Sequence, residues 1–170
     1  MSDLRNLYQQ LVLDHGQHPR NKRRIESCGD HDTCRCQEGY NPLCGDKLQL
    51  YVKTDGDGVI TDLSFEGEGC AIFTASSSML TEVLRGRRVS EIKDILDEFL
   101  HMLTSEEAVP DPEGLGKLAV FGGVRDFPAR VKCATLPWRV LETIIESVEG
   151  QDDAATAAGA DRAGDPVSTE

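Results

Sequence analysis

The chain has 170 residues and a formal net charge of −12 at pH 7. This length fits one domain with a modest hydrophobic core. The negative charge argues against nucleic acid as a partner, because its phosphates would be repelled. The sequence has no apolar run of about 18 residues and no pattern of a secretory signal at its N-terminus, so we expect a cytoplasmic protein without a membrane span.

The hydrophobic pattern predicts an α+β domain, in which a small antiparallel sheet packs against several helices. A first helix is expected from about Asp3 to His15, followed by a loop over residues 17–39. Alternating apolar residues at 48–52 and 61–65 flank the turn-forming sequence DGDG at 55–58, which predicts a hairpin. The sequence leaves open whether the sheet gains a further strand near Gly39 or Val120.

The second half of the chain is predicted to be mainly helical. Helices are predicted over residues 71–84, from a cap at Ser90 to about Leu103, and in a shorter piece over 114–120. Proline fits best in a first helical turn, so Pro137 predicts that the last helix begins just after Cys133. We expect residues 1–149 to form the domain and residues 150–170 to be a disordered acidic tail.

Six cysteines are present, and in the cytosol such residues are more often metal ligands or reactive thiols than disulfides. Cys44, Cys70 and Cys133 each lie beside a glycine or at a predicted helix start. Asp46 follows Cys44 by two residues. Three thiolates and this carboxylate would complete a tetrahedral zinc site, and the hard carboxylate would favour ligand exchange. Each cysteine taken alone has an ordinary alternative role as a small buried apolar residue.

The expected positions of Cys70 and Cys133 just before helices favour their thiolate forms. A helix N-terminus carries unpaired N–H groups and partial positive charge, which stabilise a negative sulfur. Arg130 and Lys132 precede Cys133 and add to this effect. Thiolate is the form that binds zinc and attacks sulfur electrophiles.

Three segments resemble the NifU-like and IscU-like iron–sulfur cluster assembly family, in particular its SufU branch. They are NPLCGD at 41–46, FEGEGCAI at 65–72 and FPARVKCATL at 127–136. Two features select the SufU type over the IscU type. Lys132 stands where the IscU type has a histidine, and a long segment separates Cys70 from Cys133. Phe73 departs from the family, which usually has a serine there.

The resemblance implies a SufE/NifU-like fold and zinc bound by Cys44, Asp46, Cys70 and Cys133. It also implies a zinc-dependent sulfurtransferase that accepts persulfide sulfur from a SufS-type cysteine desulfurase and passes it to a downstream iron–sulfur assembly scaffold. Cys44 would be the acceptor, freed when a desulfurase histidine replaces it on zinc. Arg130 matches the family's arginine near the site.

An unusual loop at residues 26–39 carries the other three cysteines. The spacing of Cys28, His31, Cys34 and Cys36 resembles a compact zinc clip, and short ligand runs of this kind also arise by chance. The alternative is a flexible loop with incidental thiols. The sequence leaves both open.

Two other functions compete with sulfur acceptance. The same thiolates could hold iron and sulfide, as in an IscU-type scaffold on which an iron–sulfur cluster is assembled. Alternatively the domain could be an interaction module with structural zinc, and removing the metal would then unfold it. The absence of a histidine before Cys133 counts against the scaffold.

Overall fold

The computed structural model describes residues 2–26, 28, 34–105, 112–152 and 167–168. The elements in chain order are helix α1 (Ser2–Gln17), strands β1 (Cys34–Asn41), β2 (Asp46–Thr54) and β3 (Ile60–Glu68), helices α2 (Ala71–Leu84) and α3 (Val89–Thr104), a 3₁₀-helical segment (Pro112–Asp126), helix α4 (Pro128–Asp152) and the two-residue strand β4 (Val167–Ser168).

The sheet has the strand order β3–β2–β1–β4. Strands β1, β2 and β3 are antiparallel neighbours, and β4 pairs in parallel with Gly39 and Tyr40 of β1. The helices contribute to one large core with this sheet, so the predicted α+β class is confirmed. Among the described residues, no helix combines the length and the apolar character that crossing a membrane would require.

The two faces of the sheet have different partners because side chains alternate along a strand. Leu48, Leu50 and Val52 of β2 belong to the core under the helices. Gly39 of β1 lies on the same face, and a Cβ atom there would collide with Val140 of α4. This close approach of strand and helix brings the beginning of α4 to the end of β1, where the candidate site lies.

The sequence located most elements correctly. Helix α1, the β2–β3 hairpin and α2 appear where they were expected, and α3 begins one residue before Ser90, with Arg88 rather than Ser90 as its N-cap residue. The helical piece expected over 114–120 lies within two short 3₁₀ helices that meet at a kink, where Gly116 has a non-helical conformation (φ 54°, ψ −124°).

The prediction of a loop through Gly39 was wrong for residues 34–39, which belong to β1. The sequence CRCQEGYN has few apolar side chains, so its alternation gives little signal of a strand. Strand β1 forms because it pairs with β2 along its whole length, and the backbone hydrogen bonds of this pairing do not depend on the composition of β1. The open question of a strand near Gly39 is thereby answered.

The predicted start of the last helix was also wrong, because α4 begins at Pro128 and contains Pro137 in its interior. Pro128 occupies the first helical position, where a missing N–H costs nothing. Pro137 cannot donate to the carbonyl of Cys133 one turn earlier, and packing outweighs that loss. Ser76 of α2 supports this turn, since its hydroxyl donates to Ala134 O at 2.6 Å and lies 3.1 Å from Trp138 Nε1.

The expected acidic tail is described only in part. Helix α4 continues to Asp152, and Val167–Ser168 form β4. Residues 153–166 and 169–170 lie outside the described residues, so the proposed boundary at residue 150 stays a prediction for them.

His15, near the end of α1, is buried with 1 % of its side chain exposed. Its Nδ1 lies 2.7 Å from Ser78 Oγ, and its Nε2 lies 3.8 Å from Glu82. Burial lowers the pKa of His15 below its usual value of 6.5, and the charge of Arg20 acts in the same direction. A proton therefore binds His15 more tightly in the unfolded chain than in the folded one.

Neutral His15 is expected to stabilise the fold fully above pH 6.5. This stabilisation should be lost as the pH falls toward the lower pKa that His15 has in the folded protein. Urea titrations between pH 8 and pH 5 measure this slope, because carboxylates titrate mainly below that range. His15→Asn keeps an amide facing Ser78 and should flatten the slope. An unchanged slope in the variant would assign the pH dependence to another group.

Candidate metal centre

The candidate site lies where the β1–β2 hairpin, the start of α2 and the first turns of α4 meet. Asp46 is the first residue of β2 and pairs with Asn41, the last residue of β1. Four turn residues, 42–45, connect them. Gly45 closes this turn with a φ of 73°, a left-handed conformation that glycine adopts without strain. Cys44 is thereby held at an exposed hairpin tip.

The structure brings together ligand residues from two distant parts of the chain. One ligand atom each from Cys44, Asp46 and Cys133 lie within 4.8 Å of one another. Cys44 is exposed, whereas Asp46 and Cys133 are fully buried. The group therefore has a closed interior and one thiol that solvent or a partner can reach.

Asp46 faces the core side of the sheet because it is two residues before Leu48, at the period of a strand. Its Oδ1 accepts a hydrogen bond from the Cys70 N–H at 3.0 Å. Gly69 makes room for this carboxylate, since a Cβ atom there would collide with Asp46 Oδ1. A larger residue at position 69 would therefore displace the carboxylate.

Cys70 is the N-cap residue of α2, as the sequence predicted. Its Sγ accepts a hydrogen bond from the Phe73 N–H at 3.4 Å, which satisfies one of the free donors of the first turn. Cys70 is not in the tight group of three ligand atoms, yet it lies close enough to Cys133 to raise the pKa of that thiol. Cys70 is thus the most displaced of the four predicted ligands.

Cys133 differs from the expectation of a thiolate at a helix start. Helix α4 begins five residues earlier, so Cys133 lies in its second turn rather than at its N-terminus. Burial raises the pKa of Cys133 far above its usual range, and hydrogen bonds to Asp46, Cys44 and Cys70 act in the same direction. Without a cation at the site, this thiol keeps its proton.

Arg130 extends from the first turn of α4 toward the sulfur atoms. Attraction to the thiolate forms of Cys70 and then of Cys133 raises the pKa of its exposed guanidinium above its usual range, and hydrogen bonds to the same two residues add to this. Arg130 is therefore a cation that interacts with two of the predicted ligands, Cys70 and Cys133.

Asn41 is a site residue that the sequence reasoning missed. It is fully buried, and its Nδ2 lies 3.5 Å from Asp46 Oδ2 and 3.8 Å from Cys133 Sγ. Its Oδ1 accepts the Leu43 N–H at 3.2 Å, so the same side chain also shapes the turn that carries Cys44. The Asn-Pro pair at the start of the turn was the available signal.

The donor set fits a divalent cation of the zinc type. A buried carboxylate is costly without a positive partner, and no ion pair to Asp46 is found among the described residues. Soft thiolates with one carboxylate suit zinc better than calcium or magnesium, which prefer oxygen ligands. Cys44, Asp46 and Cys133 would hold such an ion, with Cys70 as the fourth donor.

The remaining cysteines do not form the zinc clip that the sequence left open. Cys28 and Cys34 are joined by a disulfide, and Cys36 is a free thiol. Sulfur atoms in a disulfide are not thiolate ligands, which removes two of the four proposed donors. His31 lies outside the described residues. The expectation that the cysteines are metal ligands or reactive thiols rather than disulfides does not hold for this pair.

Sequence and structure comparisons place the chain among proteins of iron–sulfur cluster assembly. Residues 7–134 match the NifU-like N terminal domain. The zinc-dependent sulfurtransferase SufU of Bacillus subtilis is 38% identical over 149 residues, which cover 88% of this chain and 96% of that protein. The iron-sulfur cluster assembly scaffold protein IscU of Streptococcus pyogenes is also 38% identical, over 86% of this chain and 87% of that protein.

A solved structure agrees with these relatives. The crystal structure of the protein FiSufU from Fervidobacterium islandicum superimposes with a TM-score of 0.70 and 34% identity. The match covers 79% of this chain and 93% of that chain. The fold and the identity over most of the chain establish that this protein belongs to the NifU-like N-terminal domain family, which includes SufU and IscU.

Proposed function

We propose that this protein is a zinc-dependent sulfurtransferase that accepts persulfide sulfur from a SufS-type cysteine desulfurase for iron–sulfur cluster assembly. The observation that carries the proposal is the asymmetry of the donor set. Cys44 is the exposed thiol of a group whose other members, Asp46 and Cys133, are buried. An incoming persulfide can reach Cys44 without opening the core.

Zinc held by Cys44, Asp46, Cys70 and Cys133 would stabilise the thiolate forms of the cysteines and so offset the raised pKa of Cys133. The buried side chains serve a different purpose from Cys44. Asp46 is fixed by the Cys70 N–H and flanked by Asn41, so it keeps its place when the exposed ligand moves. Cys44, on a four-residue turn at the surface, has the freedom to leave the group.

The transfer step is a thiol–persulfide exchange. The Cys44 thiolate attacks the terminal sulfur of the desulfurase persulfide, and a new S–S bond forms at Cys44. The S–S bond on the desulfurase breaks, and its cysteine leaves as a thiolate. One sulfur atom moves, no net oxidation occurs, and the total negative charge is unchanged. Arg130, which interacts with Cys70 and Cys133, would stabilise the negative charge of the new persulfide.

An apolar surface beside Cys44 supports delivery by a protein partner. Leu43 is 69% exposed and Phe127 is 63% exposed, although both are large apolar residues. Cys44 Sγ lies 4.0 Å from Ala129 O, which places the two apolar side chains near the same thiol. Exposed aromatic and aliphatic residues around a reactive group are typical of a docking site.

The test is a desulfurase assay with zinc-loaded and zinc-stripped protein. We expect the zinc-loaded form to stimulate the desulfurase and to acquire sulfur at Cys44, and the stripped form to lose on the order of tenfold or more of the stimulation. Metal analysis should give one zinc per chain, and mass spectrometry should locate the added sulfur. Equal stimulation by both forms would contradict zinc dependence.

A cluster scaffold is the second candidate, because the IscU relative is as similar as the SufU relative and the same three cysteines could hold iron and sulfide. Lys132 replaces the histidine that the scaffold type carries before its last cysteine. Anaerobic reconstitution separates the two functions. A stable cluster that passes to an apo-protein would favour the scaffold over the sulfurtransferase.

A further inference from the structure

A second cysteine cluster lies on the face of the sheet opposite to α4. Cys34, Ile25 and Tyr51 are buried there, and Cys28 and Cys36 pack against them. Along β1, Asn41 is seven positions after Cys34, a distance of about 23 Å at the rise of an extended strand. The cluster is therefore separate from the candidate metal centre.

The cluster is covered by the segment that follows α1. Asn21 O accepts the Phe65 N–H of β3 at 3.0 Å, and Lys22 forms a bridge to the same residue. Arg23 pairs with Asp62 at 2.5 Å. The segment then crosses the outer face to Cys28, whose disulfide to Cys34 attaches it covalently to the first residue of β1.

Cys36 is placed to exchange with this disulfide. It is two residues beyond Cys34 on β1, so both side chains point to the same face, with Cα atoms about 6.6 Å apart. It is a free, partly buried thiol that packs in the same cluster as Cys28. A shift of the segment by one side-chain repeat along β1 would bring Cys28 opposite Cys36 instead of Cys34.

We propose that Cys28, Cys34 and Cys36 form a second, redox-active thiol–disulfide site, in which Cys36 exchanges with the Cys28–Cys34 bridge and a dithiol reductant opens it. In the exchange, the Cys36 thiolate attacks Cys28 Sγ, a Cys28–Cys36 bond forms, and Cys34 leaves as a thiolate that takes up the proton. In the reduction, both cysteines gain a hydrogen and the dithiol becomes a cyclic disulfide.

Opening the bridge changes what holds the covering segment. The contacts of Asn21, Lys22 and Arg23 to β3 remain, but the covalent attachment to β1 is lost. Lys22, Arg23 and Arg24 are exposed and are cleavage points for trypsin. We expect cleavage after these residues to be about fivefold or more faster in the reduced protein than in the oxidised protein, the factor that a loss of about 1 kcal/mol in local stability gives.

The decisive experiment uses the full chain and its Cys34→Ser variant in glutathione redox buffers, followed by alkylation and peptide mapping. Wild-type protein should lose two of its six thiols on oxidation, at Cys28 and Cys34, leaving the four that are free in the structure. Cys34→Ser should instead form a Cys28–Cys36 bond. The double variant Cys34→Ser, Cys36→Ser is the matched control and should form neither the Cys28–Cys34 nor the Cys28–Cys36 bond.

Two results would overturn the proposal. One is a wild-type protein that keeps six free thiols in oxidising buffer. The other is a Cys34→Ser variant that forms only mixed disulfides with glutathione at Cys28. Cys36→Ser is expected to accept sulfur at Cys44 normally, so failure of this proposal and failure of the proposed function are distinguishable.

Discussion

Replacing Cys44 by alanine is expected to lower sulfur acceptance by on the order of 10³ or more, because the attacking thiolate is removed. The fold should be retained. Cys44 is exposed on a turn and contributes little to the core, so the free energy of unfolding of the metal-free protein should change by less than about 0.5 kcal/mol. Desulfurase stimulation, mass spectrometry of the persulfide and urea unfolding are the measurements.

Cys36→Ala is the matched control for this variant. It also removes a free thiol from the β1–β2 hairpin, but Cys36 lies on the opposite face of the sheet from Asp46 and Cys133. Sulfur acceptance should therefore be close to that of the wild type. If Cys44→Ala still carried sulfur and stimulated the desulfurase as well as the control does, another residue would be the acceptor.

Asp46→Asn is expected to lower zinc affinity by at least about tenfold while keeping the fold. The amide oxygen can still accept the Cys70 N–H, so the start of α2 keeps its hydrogen bond. The negative charge that would bind the cation is lost. Sulfur acceptance should fall with zinc occupancy, as measured by competition with a chromogenic chelator and by the desulfurase assay.

The stability of this variant should change in opposite directions with and without metal. In metal-free protein the substitution replaces a fully buried carboxyl group by an amide, so the free energy of unfolding should stay the same or rise by about 1 kcal/mol. With zinc, the variant should be less stable than the wild type, because bound metal contributes to folding. Lower stability of Asp46→Asn in both states would indicate a structural carboxylate.

Glu68→Gln is the charge-matched control for Asp46→Asn. Glu68 ends β3 near Cys70, yet its side chain is exposed and outside the group of ligand atoms. The Glu68→Gln substitution removes one negative charge close to the site without altering a metal ligand. Zinc affinity should change little in this variant. A large loss of zinc affinity would indicate that the negative charge around the site, rather than coordination by Asp46, determines how tightly zinc binds.

The sequence determined the elements whose side chains alternate or repeat strongly. The hairpin of β2 and β3, helix α2 and the N-cap position of Cys70 follow from local patterns and from chemistry that acts within a few residues. The four predicted ligands were also available from residue types and from the resemblance of three short segments. Local signals of this kind do not depend on the rest of the fold.

Only the tertiary structure decided what depends on distant partners. Strand β1 forms because its backbone pairs with the edge of β2. Helix α4 continues through Pro137 because the packing of the helix outweighs one lost hydrogen bond. The exposure of Cys44, the burial that raises the pKa of Cys133 and the link between Cys28 and Cys34 are likewise set by which surfaces meet. Burial and proximity are properties of the folded chain. Composition and spacing could therefore identify these cysteines as candidates, but they could not predict the different chemistry of each.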